Sequence, residues 1–495
     1  MSLHWGSIAY GAELIMTDVR QAESEVPRVD SVTGVPPLPQ VRQLAQFVDN
    51  AAFDDLSADA LQQLKIRVLD TIGVAIGALD APPIVAIRAL VDDLGGTPTA
   101  TMIGGGRASI DRAAFVNVAL SRYLDFMDAY LAPGETCHPS DNLGAVLAAS
   151  ESVGGTGAEF LTALAVAYQV QARLSDVAPV RAKGFDHTVQ GAYASAAAVA
   201  KALRLPTDQI ANAIAISGTA NNALRVTRTG SLSNWKGLAY PNTAKEGTFA
   251  ALLASRGITG PELVFEGNKG FMQSIAGPFE IDWSAEDLER VRMTIVKRHN
   301  AEIHSQSALD AAIDIRSQTG FDAARIRSIH LRTFAVAYSI IGGGEEGDKR
   351  TVRTKEEADH SLPYLLAAAL VDGELSPAQF TQERIVAGDV QRLLHTVTIV
   401  PDDDFSARFP AEMPADLEVT LDDGAVFRSE QNSYEGFHTN PMSWAVARRK
   451  FDAVALPFTT VALRDQLAAT IQNLEHEPVS ALTALLAQVS RTRTA

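Results

Sequence analysis

The chain has 495 residues, 46% hydrophobic and 20% charged, which gives two or three domains' worth of mass and excludes a disordered or low-complexity protein. Its 42 Lys and Arg against 59 Asp and Glu leave a net charge of −17, which repels phosphate backbones and anionic lipid and argues against nucleic-acid or membrane partners. A single cysteine, Cys137, excludes a disulfide framework, a four-thiolate zinc site and an iron–sulfur cluster, and fits a reducing, cytoplasmic setting.

Residues 1–37 mix Gly, Pro, Ser and acidic residues without helical period and read as a flexible leader without the features of a secretory signal. No stretch of the chain approaches the ~18 consecutive apolar residues that span a bilayer. From 38 to 289 the pattern is helical. Ser57 is placed to cap a helix whose Leu61, Leu64, Val68, Leu69, Ile72 and Ile76 form a broad apolar stripe. Further helices are predicted over 112–127, 143–153, 158–170, 191–203 and 243–255. The run from Ala192 to Ala200 is small on nearly every face, as suits a helix packed backbone-close at the centre of a bundle.

The pattern changes over 290–440. Alternation at period two predicts strands at 291–297, 325–331 and 396–400. Leu417–Leu421 and Ala425–Phe427 flank Asp422-Asp423-Gly424, the signature of a tight hairpin. Helices over 302–316 and 362–371 lie between the strands, and helical periodicity returns over 441–495. The expectation is a mainly α protein in which an α+β domain, 290–440, is inserted into a helical domain made from 38–289 and 441–495.

Gly104-Gly105-Gly106 lacks the spacing of a dinucleotide fingerprint or a P-loop and reads as a turn. Gly342-Gly343-Gly344 leads into Lys349, Arg350, Arg353 and Lys355, which reads either as a solvated loop or as an anion clamp. Asp125 and Asp128 are placed near the end of the 112–127 helix on the face of Arg122, ten residues before His138-Pro139-Ser140-Asp141-Asn142. A carboxylate beside an imidazole tunes it for proton transfer, whereas an Arg–Asp ion pair with a helix cap is the structural alternative. His187, after Asp186, is either a functional base or a satisfied core histidine. The cationic loops 228–236 and 297–306, each opening a helix, suit carboxylate binding or a plain surface. No histidine pair has metal-ligand spacing, and no G-x-S-x-G nucleophile elbow occurs.

Leu124–Asp128, His138–Leu143, Gly184–His187, Ser233–Lys236, Gly257–Pro261, Phe265–Gly267, Glu302–Gln306 and His360–Tyr364 together resemble the MmgE/PrpD family, collinearly from about 40 to 450. That family includes 2-methylcitrate dehydratase, cis-aconitate decarboxylase and iminodisuccinate epimerase. The resemblance implies a homodimer, a helical domain with an α+β lid, and an active site between them that needs no metal or organic cofactor. It places Asp125, His138, His187, Lys236, Lys297 and Tyr364 in catalysis, with Asp128, Arg298, Ser305 and His360 around a small anionic polycarboxylate. One departure is Ala129, where the family carries a hydroxyl; Tyr130 replaces that hydroxyl, or the substrate differs.

The family's reactions share a demand for stabilising charge on carbon next to a carboxylate while a proton moves. Lys236, Lys297 and Arg298 are the expected cations, and His138, His187 and Tyr364 the expected acid and base. Asp186-His187 and His138–Asn142 resemble the dehydratase type most, so dehydration of 2-methylcitrate or a related hydroxy tricarboxylate is expected. Decarboxylation, epimerisation of a substituted succinate and a non-catalytic helical scaffold are the alternatives. Lys297 and His187 are expected to meet only around bound substrate.

Overall fold

The computed structural model describes residues 38–230 and 232–490, so the leader expected at 1–37 lies outside the described residues. Among the described residues nine α-helices run from Gln40 to Ser255: α1 (Gln40–Asn50), α2 (Ala58–Gly77), α3 (Pro82–Leu94), α4 (Ile110–Tyr123), α5 (Leu143–Ser152), α6 (Gly157–Val177), α7 (Thr188–Ala202), α8 (Thr207–Ala220) and α9 (Trp235–Ser255). Side-chain caps start two of the longest. Ser57 Oγ accepts from the Ala60 amide at 3.1 Å to open α2. Thr156 and Glu159 exchange side-chain-to-amide bonds of 3.2 and 2.8 Å to open α6.

Helix α7 is buried along Thr188–Ala200, as its small residues require, and packs against α6, α8 and α9. The helices Trp444–Ala455, Val461–Gln472 and Val479–Leu486 return to the same core, whose buried apolar side chains come from 41–296 and 442–489. Among the described residues no single helix is long and apolar enough to cross a membrane.

The first strands are short. β1 (Ala100–Thr101) pairs with β2 (Arg107–Ala108) around Gly104-Gly105-Gly106, whose φ angles of 87°, 94° and 82° make the turn expected there. β3 (Tyr130–Ala132) and β4 (Glu135–Cys137) form a second small hairpin. The larger sheet holds β5 (Ile326–Thr333), β6 (Val397–Pro401), β7 (Ala415–Leu421) and β8 (Val426–Gln431) in the order β6-β5-β7-β8. β6 runs parallel to β5; the other pairs are antiparallel, with Ile329 opposite Val419 and Leu331 opposite Leu417. Ile329 and Leu331 are buried while Arg327, His330 and Arg332 are exposed, the alternation read from sequence. Gly424, at φ 87°, turns the β7–β8 hairpin. Helix α10 (Gln306–Ser317) and the helix Leu362–Asp372 cover this sheet's core, a second apolar cluster drawn from 301–421.

Two expectations fail locally. Residues 291–297 form no strand: Arg290–Met293 is a 3₁₀ turn, and only Ile295 pairs, in a single bridge to Ala129. The backbone is held instead by buried Arg67, which donates to the Thr294 hydroxyl at 2.8 Å and carbonyl at 2.7 Å. Helix α4 stops at Tyr123 rather than 127, because Asp125 adopts φ 54° and cannot continue a right-handed helix.

Candidate active site

The left-handed turn at Asp125 aims its carboxylate at four cationic or ionisable groups. Oδ1 lies 2.9 Å from Lys297 Nζ and 3.5 Å from an Arg122 guanidinium nitrogen. Oδ2 lies 3.5 Å from Lys236 Nζ and 3.7 Å from His360 Nδ1. Burial pushes this carboxyl up, but Lys297, Lys236 and Arg122 outweigh it and hold it well below the usual carboxylate range. Lys297 also donates to the Asp125 carbonyl at 2.6 Å, which pins the strained turn.

Lys236 opens α9 and reaches Asp359 Oδ1 at 2.7 Å and His360 Nδ1 at 2.9 Å. Asp125, Asp359 and His360 bring ligand atoms within 4.8 Å of one another, a spacing that suits a metal ion. The Lys236 ammonium bonds directly to two of those atoms, so the site's positive charge is a side chain. Burial and then Lys236 push His360 down, which keeps its imidazole neutral beside the ammonium.

Two further histidines sit 5.4 Å apart, ring to ring, in an edge-to-face arrangement: His138 and His187. His138 Nδ1 lies 2.7 Å from the Asp128 carbonyl oxygen, which only accepts; Nδ1 therefore carries the proton and Nε2 the lone pair. Burial, reinforced by Arg122, holds His138 well below its usual range, so it is a neutral base at pH 7. The Asp128 side chain fixes this loop, accepting from the Ser140 amide at 3.2 Å and from the Tyr168 hydroxyl at 2.7 Å. His187 places Nδ1 3.4 Å from Asp186, which Arg228 grips at 2.6 Å, while its buried Nε2 has no partner among the described residues. His187 too is pushed well down, chiefly by burial.

Arg122, Asp125, His138, His187, Lys297 and His360 line one cavity of about 40 Å³, and Lys236 is tied to it through Asp125 and His360. Arg122, Arg181, Arg225, Arg228 and Lys297 give it its positive charge; Asp125, Glu135, Glu302 and Glu346 oppose it. His304 faces it as well, its Nδ1 held at 2.7 Å by Glu302 and its buried Nε2 without a partner among the described residues. Glu302 is held down at about 2, with His304 and His360 overcoming the upward push of burial.

Residues 42–284 match the MmgE/PrpD N-terminal domain and 299–476 the MmgE/PrpD C-terminal domain. The chain belongs to the MmgE/PrpD family. It is 29% identical over 389 residues to 2-methylcitrate dehydratase of Cupriavidus necator, covering 72% of this chain and 78% of that protein. It is 27% identical over 442 residues to the 2-methylcitrate dehydratase of Escherichia coli K12, covering 83% and 88%. It is also 28% identical over 402 residues to the cis-aconitate decarboxylase of Mus musculus, covering 76% and 78%.

For this MmgE/PrpD chain, the structure gathers Asp125, His138, His187, Lys236, Lys297 and His360 into one polar cluster. His187 and Lys297 line the same cavity. Four expected site residues lie elsewhere. The Tyr364 hydroxyl donates to the Gln379 carbonyl inside the second apolar core. Arg298 is half exposed and paired with Asp310 at 3.2 Å, Ser305 Oγ donates to the Glu302 carbonyl at 2.6 Å, and Asp128 serves the His138 loop. The Tyr130 hydroxyl reaches Asp176 at 2.9 Å, so it does not stand in for a hydroxyl at 129. Ala129 is fully buried in an apolar cluster with Ile295, Ile303 and Phe334 and pairs with Ile295 through its backbone. Arg181, Arg225 and Glu346 escaped sequence reasoning, since residues from three separate segments share no spacing, and Arg122 and His304 entered it only as an ion-pair partner of the aspartates and as part of the 297–306 loop. In the basic run after Gly344, Arg350 bonds the Val397 carbonyl and Lys355 bonds Asp359.

Proposed function

We infer that this protein removes water from 2-methylcitrate or a related hydroxy tricarboxylate, with residues 290–440 acting as a lid over the helical part. The observation that carries this reading is His138, a neutral imidazole with a basic Nε2 beside the cations of the same cavity. Dehydration needs a base for the proton on carbon next to a carboxylate and fixed positive charge for the electron density left behind. His138 supplies the base. Lys297 and Arg122 supply the charge, and the hydroxyl departs as water after protonation from the lysine side of the cavity. The dehydratases among the relatives support the substrate class.

The reading includes a homodimer in the cytoplasm and a reaction without metal or organic cofactor. Lys236 already supplies the charge at the carboxylate–histidine cluster, so EDTA is expected to leave turnover unchanged. Activity lost to EDTA and restored by zinc or iron would refute this part.

Proton NMR of the purified protein with 2-methylcitrate, citrate, cis-aconitate and substituted succinates tests the whole reading. For 2-methylcitrate the substrate's methyl doublet is expected to give way to an allylic methyl singlet, because loss of the proton from the methyl-bearing carbon leaves an alkene without a vinyl hydrogen. Decarboxylation of cis-aconitate is the second reading, favoured by the 28% identity to the mouse decarboxylase, and it is recognised by carbon dioxide release. Turnover of none of these compounds overturns both.

A further inference from the structure

Glu346 comes from a glycine-rich segment outside the elements that build the histidine cluster, yet it is buried in the cavity wall. Its Oε1 accepts from Arg181 at 3.0 Å and from Arg225 at 2.6 Å. Two guanidiniums converge on one carboxylate oxygen, which leaves the trio with surplus positive charge. Arg181 begins a 3₁₀ turn, Arg181–Lys183, fixed by Glu135 accepting its amide at 3.1 Å; Arg225 begins the turn Arg225–Arg228. Both arginines are therefore fixed by the helical part. Glu346 lies between Gly343 and Gly347, at φ 100° and 94°, with its own amide held on the Ser339 carbonyl at 3.0 Å, so it is the side chain that can leave the two arginines while the backbone stays anchored.

The position of the trio matters more than its charge. The inner cavity, at about 40 Å³, holds a few waters and not a six-carbon acid. An outer cleft of about 370 Å³ lies beside it. The two share Glu135, Thr136, Arg181, Arg225 and Glu346 as walls, so Glu346 and the arginines stand on the boundary between them.

We propose that Arg181 and Arg225 form a carboxylate subsite on this boundary, and that Glu346 is an internal carboxylate that fills it until a polycarboxylate ligand displaces it. Displacement exchanges one carboxylate for another on the same two guanidiniums and joins the cleft to the cavity. A dicarboxylate that occupies the inner cations has no group left for this subsite, so the subsite selects ligands with a third carboxylate. The proposal rests on the polycarboxylate reading above.

Calorimetric titration with tricarballylate, an unreactive tricarboxylate, and with succinate tests it in the parent, Glu346→Gln and Glu346→Gln/Arg225→Gln proteins. Removing the internal competitor is expected to tighten tricarballylate binding about fivefold or more, with little change for succinate. Adding Arg225→Gln is expected to abolish the gain; Arg181→Gln replaces it if that double variant does not fold. Hydrogen exchange over 339–349 is expected to rise in Glu346→Gln. Unchanged or weaker tricarballylate binding in Glu346→Gln, or a gain that survives loss of either arginine, overturns the subsite. If the gain appears as expected while the parent converts no hydroxy tricarboxylate, the dehydratase reading fails and the subsite stands. No binding by any variant together with unchanged exchange at 339–349 overturns the subsite itself.

Discussion

Asp141 is buried in the turn after His138, and neither of its carboxylate oxygens has a hydrogen-bond partner among the described residues. Its closest cation is Arg122, 3.9 Å away. Burial pushes it from an ordinary 3.8 to about 7, with Arg122 opposing and Asp128 adding to the rise. A carboxyl raised in the folded state favours folding while protonated, so its contribution is complete below about pH 4 and is lost as pH rises through 7. Asp141→Asn removes that titration. The variant's stability relative to the parent is expected to improve from pH 5 to pH 8 by a few kcal/mol, read from urea midpoints; parallel curves would refute it. For His138 the sign is opposite. An imidazole held well below 6.5 stays unprotonated through neutrality, so the acid limb of kcat/KM is expected below pH 6.5. His138→Gln is expected to cost about 10² to 10⁴ in kcat with an unchanged melting temperature, and near-parent turnover would remove His138 from the reaction. The histidines and lysines of the cluster were legible because they stand in short polar runs within apolar sequence. Tyr364 stands in such a run too, but the pitch of its helix turns it into the second core.

Helix α7 reaches the site through a glycine. A Cβ at Gly191 would lie 2.5 Å from the Tyr240 ring, whose single hydroxyl proton faces two acceptors, the Asn142 and Gln171 side-chain oxygens, each 3.0 Å away. His187 stacks on the same ring at 6.3 Å. Gly191→Ala is expected to destabilise by about 1–3 kcal/mol and to lower kcat by moving that ring. Gly237, in the first turn of α9, has nothing within 4 Å of an added Cβ, and Gly237→Ala is expected to be neutral or to stabilise by up to about 1 kcal/mol. Urea denaturation separates the two, and equal effects would defeat the packing argument. The close packing around α7 was legible from its run of small residues. The end of α4 was not, because Leu124, Phe126 and Met127 continue the apolar pattern past a turn that an aspartate makes in place of glycine. The failed strand at 291–297 has a similar origin: its apolar residues are buried, but Arg67 holds the backbone that a neighbouring strand would have paired.

At the scale of the whole molecule, the segment that carries the site's cations also presents apolar side chains outward. Arg225 and Arg228 line the cavity and Lys236 reaches Asp125 in its wall, while Leu224, Val226 and Trp235 are 59%, 70% and 49% exposed. Large apolar groups in this density, alternating with site residues, suit contact with another protein surface. The mainly α organisation with its small sheet was legible from the change of period, whereas which faces stay uncovered depends on how helices pack and leaves no mark in the periodicity. The proposed homodimer places a second copy over this segment. Light scattering of the parent at micromolar concentration is expected to give twice the 52.7 kDa chain mass. Leu224→Asp/Val226→Asp is expected to shift that mass toward the monomer and to lower turnover, because the backbone carrying Arg225 and Arg228 loses its outer support. A parent protein that scatters as a single chain refutes the dimer. A double variant that remains dimeric and fully active moves the interface away from the site.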